Sequence, residues 1–175
     1  GHWEFTYGEK IFLENLKKFN GDFVAQNISL TEEALFDGIE PVDDSNHFQK
    51  PYVIKTINNQ RVAVIGQAFP YTPIANPGRL IPNLTFGIRD NELQELIDLI
   101  KDKEDTSLIV LLSHNGVDVD KKMASKVNGI DIIFGGHTHD VLPKPIEIIN
   151  NNSRTVILNS GCNGKFVSMI DIKIR

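Results

Sequence analysis

Apolar positions along this chain fall into short blocks whose period alternates between that of a strand and that of a helix. Residues 108–112 form an unbroken apolar run, as expected of a strand buried on both faces of a parallel sheet. The run stops at Ser113-His114-Asn115-Gly116. Met123, Ala124 and Val127 then recur at helical spacing, with Asp118 or Asp120 placed to cap that helix and Asn128-Gly129 to end it. A second apolar run, 130–134 with Asp131 inside it, breaks at Gly135-Gly136-His137-Thr138-His139-Asp140. The whole stretch predicts strand, polar turn, helix, strand and polar turn.

The flanking sequence extends the same alternation. Phe12, Leu16 and Phe19 share one face of a predicted helix over about 8–19, which Asn20-Gly21 stops. Residues 23–28 predict a strand, and 29–50 read as irregular and acidic, with His47 at the surface. Residues 52–57 and 61–65 flank a hairpin turn at Asn58-Asn59-Gln60. The stretch 67–86 holds Pro70, Pro73, Pro77 and Pro82; a loop so long and so patterned is often functional, although a rigid surface loop fits equally well. Leu93, Leu96, Ile97 and Ile100 stripe a helix over 91–101. Runs at 146–149 and 155–158 flank the polar turn Asn150-Asn151-Asn152-Ser153, and 166–174 alternates as a last strand would. Helical and strand patterns that alternate in this way predict an α/β fold.

Composition narrows the picture only slightly. The 175 residues suit one domain, and the formal charge of −5 offers no basic patch for nucleic acid. No apolar stretch is long enough to span a membrane, and no signal peptide is evident. The one cysteine, Cys162, excludes an internal disulfide and sits in a turn-rich segment as a small turn residue.

The chemistry lies in the two polar turns. In an open α/β sheet, ligands bind outside the carboxyl ends of the strands, and both histidine clusters fall there. Neutral imidazole is a common ligand for Zn, Mn and Fe, and glycines before His137 allow a sharp turn toward a site. A single loop histidine would be read as a hydrogen-bonded surface residue. Two clusters at successive strand ends point instead to metal.

SHNG followed by GGHTHD resembles the calcineurin-like metallophosphoesterase superfamily, in its 5'-nucleotidase branch. GHWEFTYGEK at 1–10, FVAQNIS at 23–29, IGQAFPYTPIANP at 65–77 and NGKF at 163–166 are similar to the SoxB thiosulfohydrolases within that branch. The resemblance runs over nearly the whole chain. It implies part of a metallophosphoesterase-type layered β-sheet domain with flanking helices. Residues 1–175 would be the C-terminal portion of the metal-binding domain, an internal fragment with the upstream metal motifs and a downstream domain outside it.

By that resemblance His2, His114 and His137 match ligands of one ion and His139 a ligand of its partner. Asn115 matches a position near the substrate oxyanion. The cofactors implied are two divalent metal ions, Mn first, with Zn or Fe equally suited to histidine. An upstream Asp-x-His and a bridging Asp, which the superfamily needs, are not in this chain, so the fragment alone is expected to be a poor enzyme. Where the superfamily has Gly-Asn-His-Glu, this sequence has Gly1-His2-Trp3-Glu4, and Thr6 replaces the Asp that orients the catalytic His. Trp3 cannot transfer protons.

A phosphate ester expels a basic alkoxide and benefits from a proton donor. A persulfide, less basic than a thiolate of pKa about 8.5, could leave without one. The implied activity is release of sulfate from a cysteine S-thiosulfonate on the SoxY-type sulfur carrier of a SoxYZ complex, in the periplasm. The alternatives are a nucleotidase or cyclic phosphodiesterase and a non-enzymatic α/β binding module.

Overall fold

The computed structural model describes residues 1–151 and 153–174. A 3-10 turn at Trp3–Phe5 leads into α1 (Glu9–Leu16), β1 (Ile28–Leu30) and α2 (Glu32–Phe36). The hairpin β2 (Tyr52–Ile57) and β3 (Gln60–Gln67) follows, then α3 (Thr72–Ala75), a 3-10 turn at Gly78–Leu80 and β4 (Leu84–Phe86). The second half contains α4 (Asp90–Lys103), β5 (Leu108–Ser113), α5 (Val117–Lys126), β6 (Ile132–Gly135), β7 (Ile146–Asn150) and β8 (Ser153–Asn159).

The main sheet has six strands in the order β2-β3-β5-β6-β8-β7. Its four central strands run parallel, and β2 and β7 are antiparallel edges. The α/β class predicted from the sequence is therefore the one observed. Side chains of the central strands alternate between two faces. Ala63, Ile65, Ile109, Leu111, Ile133 and Ile157 pack with Leu93, Ile97, Ile100, Met123 and Ala124 from α4 and α5. Full burial of each such Ile or Leu contributes roughly 1.5–3 kcal/mol. Val62, Val110, Ile132 and Leu158 occupy the opposite face, on which Leu112 remains exposed. A second core, built on Phe5, Phe12, Ile28, Ala68 and Leu84, fixes the N-terminal turn and the proline-rich loop beside the sheet.

The turn between β2 and β3 places Asn58 and Asn59 at φ 49° and 61°, the left-handed pair that a tight hairpin requires. Asn152, in the turn predicted between β7 and β8, lies outside the described residues.

Several sequence expectations are corrected. Residues 23–27 form no strand, because their polar groups are used elsewhere. Ala25 N–H donates to Lys50, Gln26 N–H donates to Gly66, and the Asn27 side chain bonds Ala68 and Gly87. This segment crosses β3 so closely that a Cβ on Gly66 would lie 1.8 Å from the Val24 carbonyl. Helix α1 ends at Leu16, leaving Phe19 exposed. The acidic stretch 29–50 contains α2, capped by Thr31 Oγ1 accepting from Ala34 N–H at 3.2 Å. His47 is buried against Asp43, 2.7 Å away. Residues 166–174 have no ladder partner and no strand, despite their alternation. Gly116, not an aspartate, is the N-cap of α5, whereas its end, with Val127 as C-cap just ahead of Asn128-Gly129, falls where expected.

Candidate metal centre

Four backbone features bring the histidines together. His114 continues β5 by one residue, its N–H donating to Gln67 O of the neighbouring strand at 2.9 Å. His137 and His139 follow β6 with φ of 78° and 59°, a conformation rare outside glycine and a mark of functional loops. A Cβ on Gly136 would lie 3.2 Å from His114 Nδ1, so glycine there permits the two loops to approach. His2 arrives from outside the sheet, held by Phe69 N–H donating to Gly1 O at 3.3 Å.

The ring centroids of His2, His114 and His137 lie 5.1 to 5.3 Å apart. One ring nitrogen from each lies within 4.8 Å of the others. Nδ1 of His2 and of His137 is buried and has no hydrogen-bond partner. Burial is the first cause that lowers all three pKa values. For His114, burial, reinforced by the Gly1 amine and the His137 and His2 rings, brings the value down to about 4. For His2 the next contribution is the Gly1 amine, and for His137 the His2 ring. Three neutral rings, two of them with an orphaned buried nitrogen, suit a divalent ion.

Phe69 forms one wall. Its ring stacks on His137 at 3.8 Å and 24°, and also lies 5.2 Å from His2. Tyr71 packs edge-on against Phe69 at 5.7 Å and is 48% exposed. Trp3, its ring 5.9 Å from that of His2, is 74% exposed beside the cluster.

His139 is exposed and stands outside the three-ring cluster. Asn115 is 3% exposed; its amide donates inward to Asp120 Oδ1 at 3.2 Å, while its Oδ1 is buried without a hydrogen-bond partner. Sequence reading missed Phe69 and Asp120. The proline-rich motif marked the segment carrying Phe69 but not the ring's role.

The trifunctional nucleotide phosphoesterase YfkN of Bacillus subtilis is 31% identical over 123 residues, covering 70% of this chain and 8% of that protein. Bovine (Bos taurus) 5'-nucleotidase is 37% identical over 93 residues, covering 53% of this chain and 16% of that protein. The Thermus thermophilus sulfate thiohydrolase SoxB, in a structure with glycerol, superimposes with a TM-score of 0.78 at 32% identity, covering 94% of this chain and 27% of that one. The chain is similar to the 5'-nucleotidase branch of the calcineurin-like phosphoesterases. No family model matches it. It spans well under a third of each of these three relatives of the branch, all of which carry the names of hydrolases. Among the described residues no helix is long and apolar enough to cross a membrane.

Proposed function

We propose that the protein carrying this chain is a metal-dependent hydrolase that releases sulfate from a cysteine S-thiosulfonate on a sulfur-carrier protein. One observation carries this reading: Trp3, 74% exposed beside the histidine cluster, occupies the position where the branch's motif has its proton-donating histidine. The likeness to SoxB over 94% of the chain supports it.

His2, His114 and His137 would hold one ion, and His139 would contribute to a second. When bound, such ions polarise the scissile group and lower the pKa of a water, whichever of Mn, Zn or Fe is used. The chain's own residues do the rest. Burial keeps the three rings neutral and therefore able to ligate. Phe69 excludes water from one side of His137. Trp3 offers a rigid apolar surface for a narrow peptide arm delivering the thiosulfonate. No proton donor stands at residue 3, so a weakly basic leaving group such as a persulfide is preferred over an alkoxide. A carrier protein as partner and a periplasmic setting belong to this reading.

The second reading is a 5'-nucleotidase-like phosphoesterase, favoured by the nucleotide-cleaving relatives at 31% and 37% identity. The two are separated by assaying the full-length protein with a thiosulfonated carrier and with nucleoside monophosphates, then repeating with Trp3→His plus Thr6→Asp. Sulfate release with little nucleotidase activity in the unmodified protein is expected, and a gain of phosphatase activity at the expense of sulfate release in the double variant. Robust nucleotidase activity in the unmodified protein would establish the second reading.

A further inference from the structure

We infer that Asp120 is a positioning residue for the metal centre: a single buried carboxylate ties the loop carrying His114 to the loop carrying His137. The inference rests on the metal-centre reading of the three histidines. Asp120 lies in the first turn of α5 and is 0% exposed. Its Oδ1 accepts from Ser113 Oγ at 2.5 Å and from Asn115 Nδ2 at 3.2 Å. Asn115 N–H in turn donates to Ser113 Oγ at 3.1 Å. The residues immediately before and after His114 are therefore held by one oxygen, while the His114 N–H is held by Gln67 of β3.

The second oxygen faces the other loop. A Cβ on Gly135 would lie 2.7 Å from Asp120 Oδ2 and 3.7 Å from Asn159 Nδ2. Gly135 is the last residue of β6, paired with Asn159 of β8, and two residues later comes His137. The carboxylate thus sits below the ends of β5, β6 and β8, under both histidine loops. Thr138 adds a tie above it, its Oγ1 accepting from Val117 N–H at 3.3 Å.

Packing alone does not call for a carboxylate in this place. Asp120 Oδ2 has no hydrogen-bond partner, and desolvating a carboxylate is unfavourable. A leucine would cover similar space without that cost, but it could not accept from Ser113 and Asn115 together. What the carboxylate supplies is a fixed orientation for the backbone on either side of His114, of the kind that supporting residues give to metal ligands.

The test uses the full-length protein and Mn2+ or Co2+ as the probe. Three variants are compared with wild type: Asp120→Asn, which keeps an accepting oxygen; Asp120→Leu, which removes it; and Ser113→Ala, which removes one donor. The readouts are metal affinity by titration calorimetry, the visible spectrum of bound Co2+, amide hydrogen exchange at residues 113–116 and 135–137 in the metal-free protein, and melting temperature. Asp120→Leu is expected to weaken metal affinity by roughly 10–100-fold, to shift the Co2+ spectrum and to speed exchange in both loops. Asp120→Asn should stay within about threefold of wild type, and Ser113→Ala should fall between, each losses of the supporting-partner kind.

Wild-type affinity and spectrum in Asp120→Leu and Ser113→Ala, with only the melting temperature moved, would overturn the inference, as would an Asp120→Asn protein as impaired as Asp120→Leu. If Asp120→Leu does not fold, Ser113→Ala decides. A wild-type protein that binds neither ion at these histidines overturns the metal-centre reading itself, a result distinct from unchanged variants.

Discussion

The ring of Phe69 lies flat against that of His137, their centroids 3.8 Å apart and their planes inclined by 24°. The stack restricts His137 to one ring orientation at a site where the histidine already adopts a left-handed backbone conformation. Aromatic pairs of this kind are worth about 0.5–1.5 kcal/mol beyond the area they bury. Phe69→Ala should therefore weaken metal binding by about 2–10-fold, that energy expressed as an affinity ratio. Phe69→Tyr should retain wild-type affinity. Titration calorimetry on the two variants checks both halves; equal losses in Ala and Tyr would point to something other than ring stacking.

The histidines make the metal-free protein sensitive to acid. Burial holds His114 down at about 4 in the folded state, against an ordinary value of 6.5. Below pH 6.5 the unfolded chain takes up a proton that the folded chain refuses, so stability is lost as pH falls from about 6.5 toward about 4. His2 and His137, also lowered, add to the same slope. Asp120 acts oppositely: burial raises it from 3.8 to about 6, so its contribution favours the folded state at low pH and is lost as pH rises through that interval. Urea denaturation between pH 4 and pH 7 should show stability rising with pH, more steeply in Asp120→Asn and less steeply in His114→Asn.

Within the cluster the histidines are not equivalent. His137→Ala removes one of three converging nitrogens and should reduce affinity for the first ion by more than the roughly 10–100-fold that loss of a supporting residue costs. His139→Ala, outside the cluster and exposed, should leave that ion's affinity within about threefold, below the loss expected even for a supporting residue. Mn2+ titration of the two variants followed by electron paramagnetic resonance distinguishes them.

Gly66 is the tightest backbone crossing near the centre. A methyl group there would strike the Val24 carbonyl at 1.8 Å, which neither β3 nor the crossing segment can relieve without moving. Gly66→Ala is expected to destabilise the protein by about 3 kcal/mol, the upper end for forced overpacking. Thermal or urea denaturation measures it directly.

The parts of the centre that could be read from the sequence were those fixed by strand ends. Apolar runs that stop at SHNG and GGHTHD place His114 and His137 at one rim because parallel strands share a direction. His2 was legible only through family resemblance, since no local pattern carries a loop from residue 2 to that rim. Phe69 was invisible because stacking across the chain leaves no periodicity. Asp120 was misread for a definite reason. An aspartate in a first helical turn ordinarily serves the helix terminus, but here Gly116, at φ 95°, takes the cap and leaves the carboxylate free to turn inward. The alternation at 166–174 likewise predicted a strand, yet this stretch pairs with neither edge strand, β2 or β7.

His2 approaches the cluster from a segment that belongs to no strand of the main sheet, whereas His114 is fixed at the end of β5. An ion shared by these two rings would thus also be a clasp, closing the chain from residue 2 to residue 114. By the entropy of closing a loop on the order of 100 residues, a permanent link of that kind restrains the unfolded chain by about 4–5 kcal/mol. A chelator should then do more than silence the centre: it should remove that restraint and lower the melting temperature, while the Phe5 and Phe12 core keeps the N-terminal turn in place.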